Sequence, residues 1–244
     1  GVSLIRGDVH YVITEFGIAY LHGKNIRERA MSLIAIAHPK FRPWLIEEAK
    51  RLGLIYKDQA YIPGRKGEYP EHLETYRTTN KGTKVFMRPV KIDDEPILKE
   101  FFYSLSDQSV YRRFISSRKD MPHERLQDMV VIDYTREINL LAFIEGDHKD
   151  VCVGLGQLGI DENSHTAEVA FTVRDDFHNQ GIGTALLEYM TMLAKREGLL
   201  GFTAEVLVEN RPMLRVFEKM GFNIQKRSSS GVFELKMEFR QEIK

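Results

Sequence analysis

The chain has little that would tie it to a disulfide framework, a membrane or nucleic acid. Cys152 is its one cysteine among 244 residues, so neither an intramolecular disulfide nor a cysteine-based zinc site can form. Cys152 lies in an apolar, strand-like run, so we expect a small buried apolar residue and not a nucleophile. No apolar run approaches the roughly 18 residues that a membrane-spanning helix needs. Lys+Arg and Asp+Glu both total 35, so the zero net charge gives no global attraction for nucleic acid or anionic membranes. We expect a soluble, cytoplasmic protein without a metal site.

The length allows one large domain or two small ones. The alternating segment 9–13 predicts a strand, and apolar residues at helical spacing behind Asn25 and after Pro43 predict two helices. One strand and two helices enclose too little apolar surface to form a core alone. Because the chain also begins at Gly1 and not at methionine, we expect a piece of a longer polypeptide.

A polar stretch separates this segment from the rest of the chain. Prolines and glycines interrupt any apolar face there. They are Pro63, Gly64, Gly67, Pro70 and Gly82. We therefore expect three parts: an N-terminal segment at 1–62, a linker at 63–82 and a larger domain at 83–244.

The larger domain interleaves the two-residue period of strands with the 3.6-residue period of helices. The predicted strands lie at 85–90, 139–144, 151–158, 167–173, 202–208 and 232–239, and the predicted helices at 95–105, 185–197 and 212–220. The second and third strands are close enough in sequence for a hairpin across 145–150. The order predicts a domain of the α/β type.

The most informative stretch is Asp175–Thr184, which joins a predicted strand to a predicted helix. The first turn of a helix offers backbone N–H groups without intrahelical partners at the positive end of the helix dipole. Gly181 and Gly183 have no Cβ, so a phosphate could approach the main chain closely. The turn lacks the third glycine of a dinucleotide fingerprint and the Gly-Lys-Ser/Thr of a Walker loop. It predicts a pyrophosphate cradle of another kind.

Three motifs carry a resemblance to a known family. Glu168–Arg174, Gln180–Leu187 and Asn210–Phe222 resemble, in content and in order, the GNAT family of N-acetyltransferases. Met87–Val90 and Tyr111–Phe114 are similar to the GNAT domains of bacterial protein lysine acetyltransferases. The resemblance covers the larger domain. It implies an α/β (α+β) fold with a central mixed, mostly antiparallel sheet flanked by helices, beside a small N-terminal α/β segment.

The resemblance also implies acetyl-CoA, or coenzyme A, as co-substrate. In the family, a strand edge binds the pantetheine arm and the following loop binds the pyrophosphate. The implied cofactor-binding residues are Phe171, Thr172 and Val173 on the strand, His178, Asn179, Gln180, Gly181, Ile182, Gly183 and Thr184 in the loop, and Asn210 and Phe217 further on. A plain helix N-cap explains Asn210 equally well, and core packing explains Phe217.

Two residues depart from the family pattern. His178 stands where Gln or Arg is usual, and it either donates a hydrogen bond to the pyrophosphate or is an ordinary surface histidine. Phe217 stands where many members carry the tyrosine that protonates the departing thiolate, so that role is vacant. Because CoA thiolate is a tolerable leaving group, turnover is still expected.

Glu168 is the expected general base. A lysine amine with a pKa near 10.4 is protonated at neutral pH, and freeing its lone pair at pH 7 costs roughly 4.6 kcal/mol. The resemblance places Glu168 where several protein acetyltransferases carry a base-like glutamate. The alternative is a strand-end carboxylate that faces solvent or pairs with an arginine. Arg112 and Arg113 also have two interpretations, a contact to an acidic substrate or, as the favoured one, a solvated helix face.

The N-terminal segment has a resemblance of its own. Val9–Ala19, Gly23–Ala30 and Ile36–Pro39 resemble the C-terminal end of the acetyl-CoA hydrolase/transferase family. The glutamate that carries the acyl intermediate in that family lies upstream of the matching region, so Glu15 is not assigned this role. The resemblance implies a CoA-transferase-like domain of the parent chain as a partner.

These observations predict an N-acetyltransferase that moves an acetyl group from acetyl-CoA to a primary amine, a protein lysine, by direct attack in a ternary complex. Two alternatives stay open. One is a non-catalytic acyl-CoA-sensing domain, which the vacant tyrosine position supports. The other is an accessory to an acetyl-CoA hydrolase or CoA-transferase activity. Neither nucleic acid nor a membrane is expected as a partner.

Overall fold

The computed structural model describes residues 6–57, 69–115, 120–132, 134–146, 149–161 and 163–240. Internal contacts divide the chain into two units, Gly1–Glu68 and Tyr69–Lys244. Residues 63–68 of the expected linker and residues 147–148 of the expected hairpin turn lie outside the described residues. The three-part division of the chain stays a prediction.

The first unit contains a hairpin followed by two helices. Strands β1 (Tyr11–Thr14) and β2 (Gly17–Tyr20) pair antiparallel, and helices α1 (Ile26–Ala35) and α2 (Arg42–Arg51) follow. The sequence analysis predicted both helices and the first strand. Strand β2 was not predicted from the sequence.

Helix α1 begins with a capping box formed by Asn25 and Glu28. The Asn25 side chain accepts from the N–H of Glu28 over 2.9 Å, and the Glu28 carboxylate accepts from the N–H of Asn25 over 2.8 Å. Both bonds satisfy N–H groups that the helix start leaves without partners. Ala19, Leu21 and Ile36 form a small buried cluster in this unit.

In the part of the chain that the structure describes, the second unit is an eight-stranded sheet with five α-helices. Its strands are β3 (Thr75–Thr78), β4 (Lys84–Pro89), β5 (Glu137–Ile144), β6 (Val151–Asp161), β7 (Thr166–Val173), β8 (Gly201–Leu207), β9 (Asn223–Ser229) and β10 (Val232–Glu238). Its helices are α3 (Glu95–Tyr103), α4 (Asp107–Phe114), α5 (His123–Val130), α6 (Ile182–Arg196) and α7 (Arg211–Lys219). The strand order is β3-β4-β5-β6-β7-β8-β10-β9, antiparallel except for the parallel pair β7–β8. The expected mixed, mostly antiparallel sheet is confirmed.

The sheet lies between two helical layers. Leu140 and Ala142 of β5 belong to one buried cluster together with residues of α6. Leu141 and Phe143 of the same strand belong to a second cluster together with residues of α3 and α5. Successive residues of a strand face opposite sides of a sheet, so α6 covers one face and α3 and α5 cover the other. Helices flank the sheet as expected.

A strand occupies part of the span expected to be a linker. Residues 75–78 form β3, which pairs with β4 at the edge of the sheet, and Tyr76 is 81% exposed. An edge strand with a solvated side carries little of the apolar alternation by which strands are recognised. The same reason applies to β9 at the opposite edge, which the sequence analysis also missed.

Helices α4 and α5, each eight residues long, are not among the elements predicted from the sequence. In α4 the buried residues are Ser109 and Val110, so its sequence shows too few apolar repeats for the helical period to be recognised. Its start is nevertheless a regular N-cap, in which the Ser106 hydroxyl accepts from the N–H of Ser109 over 3.2 Å. Among the helices of the described ranges, none has the length and apolar character to cross a bilayer.

Candidate active site

The central strands β7 and β8 separate part of the way along the sheet. Within the described register they pair as far as Glu168 and Thr203, although β7 continues to Val173 and β8 to Leu207. The edge of β7 that faces β8 therefore presents main-chain N–H and C=O groups without a strand partner over residues 169–173. The three residues predicted to bind pantetheine lie on this open edge.

The loop after β7 leads into the first turn of α6. A short 3-10 turn at Asp175–Phe177 is followed by Asn179 and Gly181, whose φ angles are 61° and 83°. The first helical bond of α6 runs from the N–H of Ala185 to the carbonyl of Gly181 over 3.0 Å. The N–H groups of residues 182–184 therefore have no intrahelical acceptor. They are donors at the positive end of a helix, the arrangement that a bound phosphate requires.

Both loop glycines are required by contacts within the protein. A Cβ on Gly181 would lie 2.5 Å from Oδ1 of Asn80 and 3.0 Å from Cβ of Thr79. A Cβ on Gly183 would lie 3.3 Å from the ring of Phe171. Protein atoms lie close to the position that each missing Cβ would take. The approach of a phosphate to the main chain at these glycines stays a prediction. What the loop offers to a ligand is its N–H groups.

The imidazole of His178 is held by the end of β7. Its Nε2 lies 2.9 Å from the carbonyl oxygen of Val173. A carbonyl only accepts, so Nε2 carries the proton, and in the neutral ring Nδ1 is then an acceptor. His178 therefore offers a phosphate an N–H from Nδ1 only when the ring is protonated.

Asn210 and Phe217 have structural partners of their own. The Asn210 side chain accepts from the N–H of Met213 over 3.3 Å and caps α7, as the N-cap alternative predicts. Phe217 is 1% exposed, and its ring meets that of Phe171 edge to face with 5.7 Å between centroids. The ring at the position of the frequent tyrosine thus packs against the open strand β7. Cofactor contacts of both residues stay predictions.

Glu168 lies at the point where β7 and β8 separate. It is exposed, and its cross-strand neighbour on β6 is Gly159, which has no side chain to cover it. Arg113 of α4 lies close enough for its charge to interact with that of Glu168. Burial lowers the pKa of Arg113 to about 10, an effect that Glu168 opposes. The Arg113 Nη2 donates to Oε1 of Gln157. The favoured interpretation of Arg113 as part of a solvated helix face is therefore wrong.

Asp175 is a site-forming residue that the sequence analysis did not identify. Its carboxylate accepts from the N–H and the hydroxyl of Ser106, over 2.9 and 2.7 Å, and from the hydroxyl of Ser109 over 2.8 Å. These bonds join the start of α4 to the loop that follows β7. The serine N-cap before α4 was the signal in the sequence, but its partner is distant along the chain.

Cys152 has the structural role that the sequence analysis expected. It is 8% exposed, and burial raises the pKa of its thiol to about 12. A thiol with so high a pKa is protonated at neutral pH and is a poor nucleophile. The expectation of a small buried apolar residue is confirmed.

Two parts of the chain match known families. The acetyltransferase (GNAT) family matches residues 103–222. The acetyl-CoA hydrolase/transferase C-terminal domain matches residues 1–49. The two matches do not overlap, and each falls mainly on one of the two structural units.

Individual relatives agree with this division. Acetyltransferase Pat of Mycolicibacterium smegmatis is 30% identical over 140 residues, which are 57% of this chain and 41% of that protein. Succinyl-CoA:acetate/propanoyl-CoA:succinate CoA transferase of Fasciola hepatica is 59% identical over 49 residues, which are 20% of this chain and 10% of that protein. The crystal structure of the GNAT domain of S. lividans PAT has a TM-score of 0.64 at 28% identity, and the match covers 70% of this chain and 100% of that domain. The chain thus spans less than half the length of either curated relative.

The separated strands β7 and β8 and the unbonded N–H groups at the start of α6 both lie within the part of the chain that matches the acetyltransferases. Residues 103–222 match the GNAT family of acetyltransferases, and residues 1–49 match the C-terminal domain of the acetyl-CoA hydrolase/transferase family. Enzymes of the GNAT family use acetyl-CoA as co-substrate.

Proposed function

We propose that this chain is an N-acetyltransferase that moves an acetyl group from acetyl-CoA to the side chain of a protein lysine in a ternary complex. One observation carries the proposal. Glu168 is the last residue of β7 that pairs with β8, so the candidate base lies where the open strand edge begins. The base and the main-chain groups suited to holding a thioester therefore meet at one point of the sheet.

Two sets of main-chain groups support acetyl-CoA as the co-substrate. The N–H groups of residues 182–184 suit the pyrophosphate, because they are unbonded donors at a helix start. The open edge of β7 suits the amides of pantetheine, which can pair with it as an added strand would. One N–H of residues 171–173 would face the thioester oxygen, and a single such donor contributes roughly 3–4 kcal/mol to the transition state.

The reaction needs a base because a lysine side chain is cationic at neutral pH. Glu168 accepts the proton that the amine loses, which accelerates the reaction on the order of 10²–10⁴-fold. The nitrogen lone pair then forms a bond to the thioester carbon, the nitrogen releases a second proton to solvent, the C–S bond breaks, and CoA leaves as a thiolate. Because Phe217 has no acidic proton, the thiolate takes its proton from solvent.

Charged side chains of both signs lie on the sheet face around Glu168. Glu205 of β8 and Glu234 of β10 lie on the same face, both exposed and directly opposite each other. Like charges in register repel, so a cation bound beside them is favoured. Arg227 and Lys236 on the neighbouring strand positions offset part of this charge. Arg113, whose charge interacts with that of Glu168, offsets the third carboxylate, so the charge of this face does not by itself select a lysine as the acceptor.

A thiol-release assay with acetyl-CoA and a lysine peptide tests the proposal, with the same peptide carrying Nε-acetyl-lysine as the control. We expect CoA release with the free lysine only, and double-reciprocal lines that intersect because both substrates bind before a product leaves. Parallel lines would indicate an acetyl-enzyme and contradict the ternary complex. Binding of acetyl-CoA without CoA release from any amine would support the acyl-CoA-sensing alternative.

A second proposal concerns the first unit, whose hairpin has an exposed apolar face. Tyr11, Ile13, Ile18 and Tyr20 are 62, 70, 66 and 44% exposed. The register pairs Tyr11 with Tyr20 and Ile13 with Ile18, which puts all four on one face. Contiguous exposed apolar residues of this kind mark interaction sites. Together with the family match at residues 1–49, this face supports a CoA-transferase-like domain as its partner.

Gel filtration of the chain mixed with a recombinant CoA-transferase domain tests this second proposal. We expect co-elution that the double variant Ile13→Lys, Ile18→Lys abolishes, because charges cannot be buried at an apolar contact. Separate elution of the unaltered pair would contradict the proposal.

A further inference from the structure

The turn between β3 and β4 touches the loop that precedes α6. The Oδ1 atom of Asn80 would lie 2.5 Å from a Cβ on Gly181, and the Cβ of Thr79 would lie 3.0 Å from it. Gly181 directly precedes the N–H groups that suit a pyrophosphate. The turn therefore forms a wall beside the helix start, although it lies outside the part of the chain that matches the GNAT family.

Hydrogen bonds hold the turn in this position. The N–H of Thr79 donates to the carbonyl of Thr83 and the N–H of Gly82 donates to the carbonyl of Thr79, both over 2.9 Å. The Thr79 hydroxyl accepts from the N–H groups of Lys81 and Thr83, over 3.3 and 3.2 Å, and the residue is 6% exposed. The turn thus satisfies its own main chain and leaves the side chains of Asn80 and Lys81 exposed.

The charge of a pyrophosphate needs a cation that the loop itself does not offer. Within residues 174–184, all of them described, the basic side chains are Arg174 and His178. Arg174 is engaged by Asp176, over 3.1 Å from Nε and 2.7 Å from Nη2. His178 is engaged through Nε2 by a main-chain carbonyl. A cation from another element would therefore have to complement the N–H groups of residues 182–184 in binding the pyrophosphate.

Lys81 is placed to supply that cation. It follows Asn80, the residue whose side chain contacts the loop, and it forms no ion pair with any side chain in the described ranges. An ammonium on a long stem suits a phosphate as a point charge, and an amide such as that of Asn80 adds N–H donors. Both groups belong to a turn that the sheet holds in place.

We propose that the β3–β4 turn forms one side of the phosphate site, opposite the loop before α6. In this site Lys81 and Asn80 contact the pyrophosphate of the acyl-CoA co-substrate. The proposal rests on the proposed function, because it assumes that the loop before α6 holds coenzyme A. It assigns the charge contact to a part of the chain that precedes the family's matching region, in place of the altered residue at position 178.

Titration calorimetry with coenzyme A, 3′-dephospho-coenzyme A and pantetheine tests the proposal on the full chain. We expect Lys81→Ala to weaken the first two ligands about fivefold, which is what loss of one exposed charge contact produces. Pantetheine has no pyrophosphate, so its affinity should not change. Asn80→Ala should show the same ligand pattern. The control is Lys99→Ala, which removes an exposed lysine from α3 on the opposite face of the sheet and should leave all three affinities unchanged.

Three outcomes would overturn the assignment. Equal affinities of the unaltered chain and Lys81→Ala for coenzyme A would show that Lys81 does not contact the ligand. If Lys81→Ala loses affinity for coenzyme A and not for its 3′-dephospho form, Lys81 contacts the 3′-phosphate and not the pyrophosphate. If Lys99→Ala loses as much affinity as Lys81→Ala, the loss comes from the change in net charge and not from a contact. If the unaltered chain binds none of the ligands, the proposed function itself fails, and this proposal fails with it.

Discussion

The hydroxyl of Ser106 donates to Oδ1 of Asp175 over 2.7 Å, which joins the start of α4 to the loop after β7. Burial by itself would raise the pKa of Asp175, but the bonds from Ser106 and Ser109 outweigh it and hold the pKa below its ordinary value. The carboxylate is thus stabilised in its charged form by the folded state.

Asp175 should therefore make stability depend on pH in the acid range. A group whose pKa is lowered by folding contributes stability above its unfolded pKa, about 3.9, and loses it as the pH falls through the folded value. Asp175→Asn should lower the free energy of unfolding by about 1 kcal/mol near neutral pH. The loss is no larger because the residue is exposed and solvent screens part of the effect. Urea unfolding between pH 2 and 7 measures this. Asp176→Asn, which alters an exposed ion pair, is the control and should change stability by less than about 0.5 kcal/mol; equal losses would contradict the role of Asp175.

Glu168→Gln should remove the base and keep the size of the side chain. We expect kcat with a lysine peptide to fall on the order of 10²-fold or more, with the KM for acetyl-CoA unchanged, because the amide cannot accept the proton of the amine. Glu188→Gln, an exposed residue of α6, serves as the control and should keep full activity. An unaltered kcat and pH profile in Glu168→Gln would favour the solvent-facing carboxylate of the alternative interpretation.

Gly181→Ala should destabilise the protein more than Gly198→Ala. Both glycines have positive φ, 83° and 77°, so each substitution carries a backbone cost of about 1–2 kcal/mol. At Gly198 a Cβ would meet nothing within 4 Å, whereas at Gly181 it would meet Asn80 and Thr79. The difference in unfolding free energy between the two variants therefore isolates the contact with the β3–β4 turn. Equal losses would mean that the turn does not press against the loop.

Thr172→Val should not destabilise the protein. The Thr172 hydroxyl is buried and has no hydrogen-bond partner among the described residues, so an isosteric methyl group should leave stability unchanged or raise it by about 1 kcal/mol. Thr191→Val is the matched control, because that hydroxyl donates to the carbonyl of Leu187 over 2.7 Å, and its loss should cost about 1 kcal/mol. Thermal or urea unfolding of both variants measures this. A clear loss in Thr172→Val would show that its hydroxyl has a partner in solution. Coenzyme A affinity should be unaltered, since the predicted contact of Thr172 is its main chain.

Much of the site could be predicted because it is local in the sequence. The strand β7, the loop at 178–184 and helix α6 follow one another, so their periodicity and glycines indicate a strand, a turn and a helix start without knowledge of the fold. The capping box of Asn25 and Glu28 was predictable for the same reason, since its partners are three residues apart. Short or edge elements such as β3 and α4 were missed because they bury too few residues to show a period.

The sequence by itself determined the strand, the turn and the open helix start of the site, because these depend on residues that are neighbours along the chain. Its resemblance to a known family implied the mixed sheet and Glu168 as the candidate base. Only the tertiary structure decided that Asn80 lies against Gly181, that Asp175 accepts hydrogen bonds from Ser106, and that the half-buried Arg113 donates to Gln157. These contacts join segments brought together by strand pairing and by the packing of helices on the sheet. Since no local pattern encodes which distant segments will meet, they become visible only when the sheet is assembled.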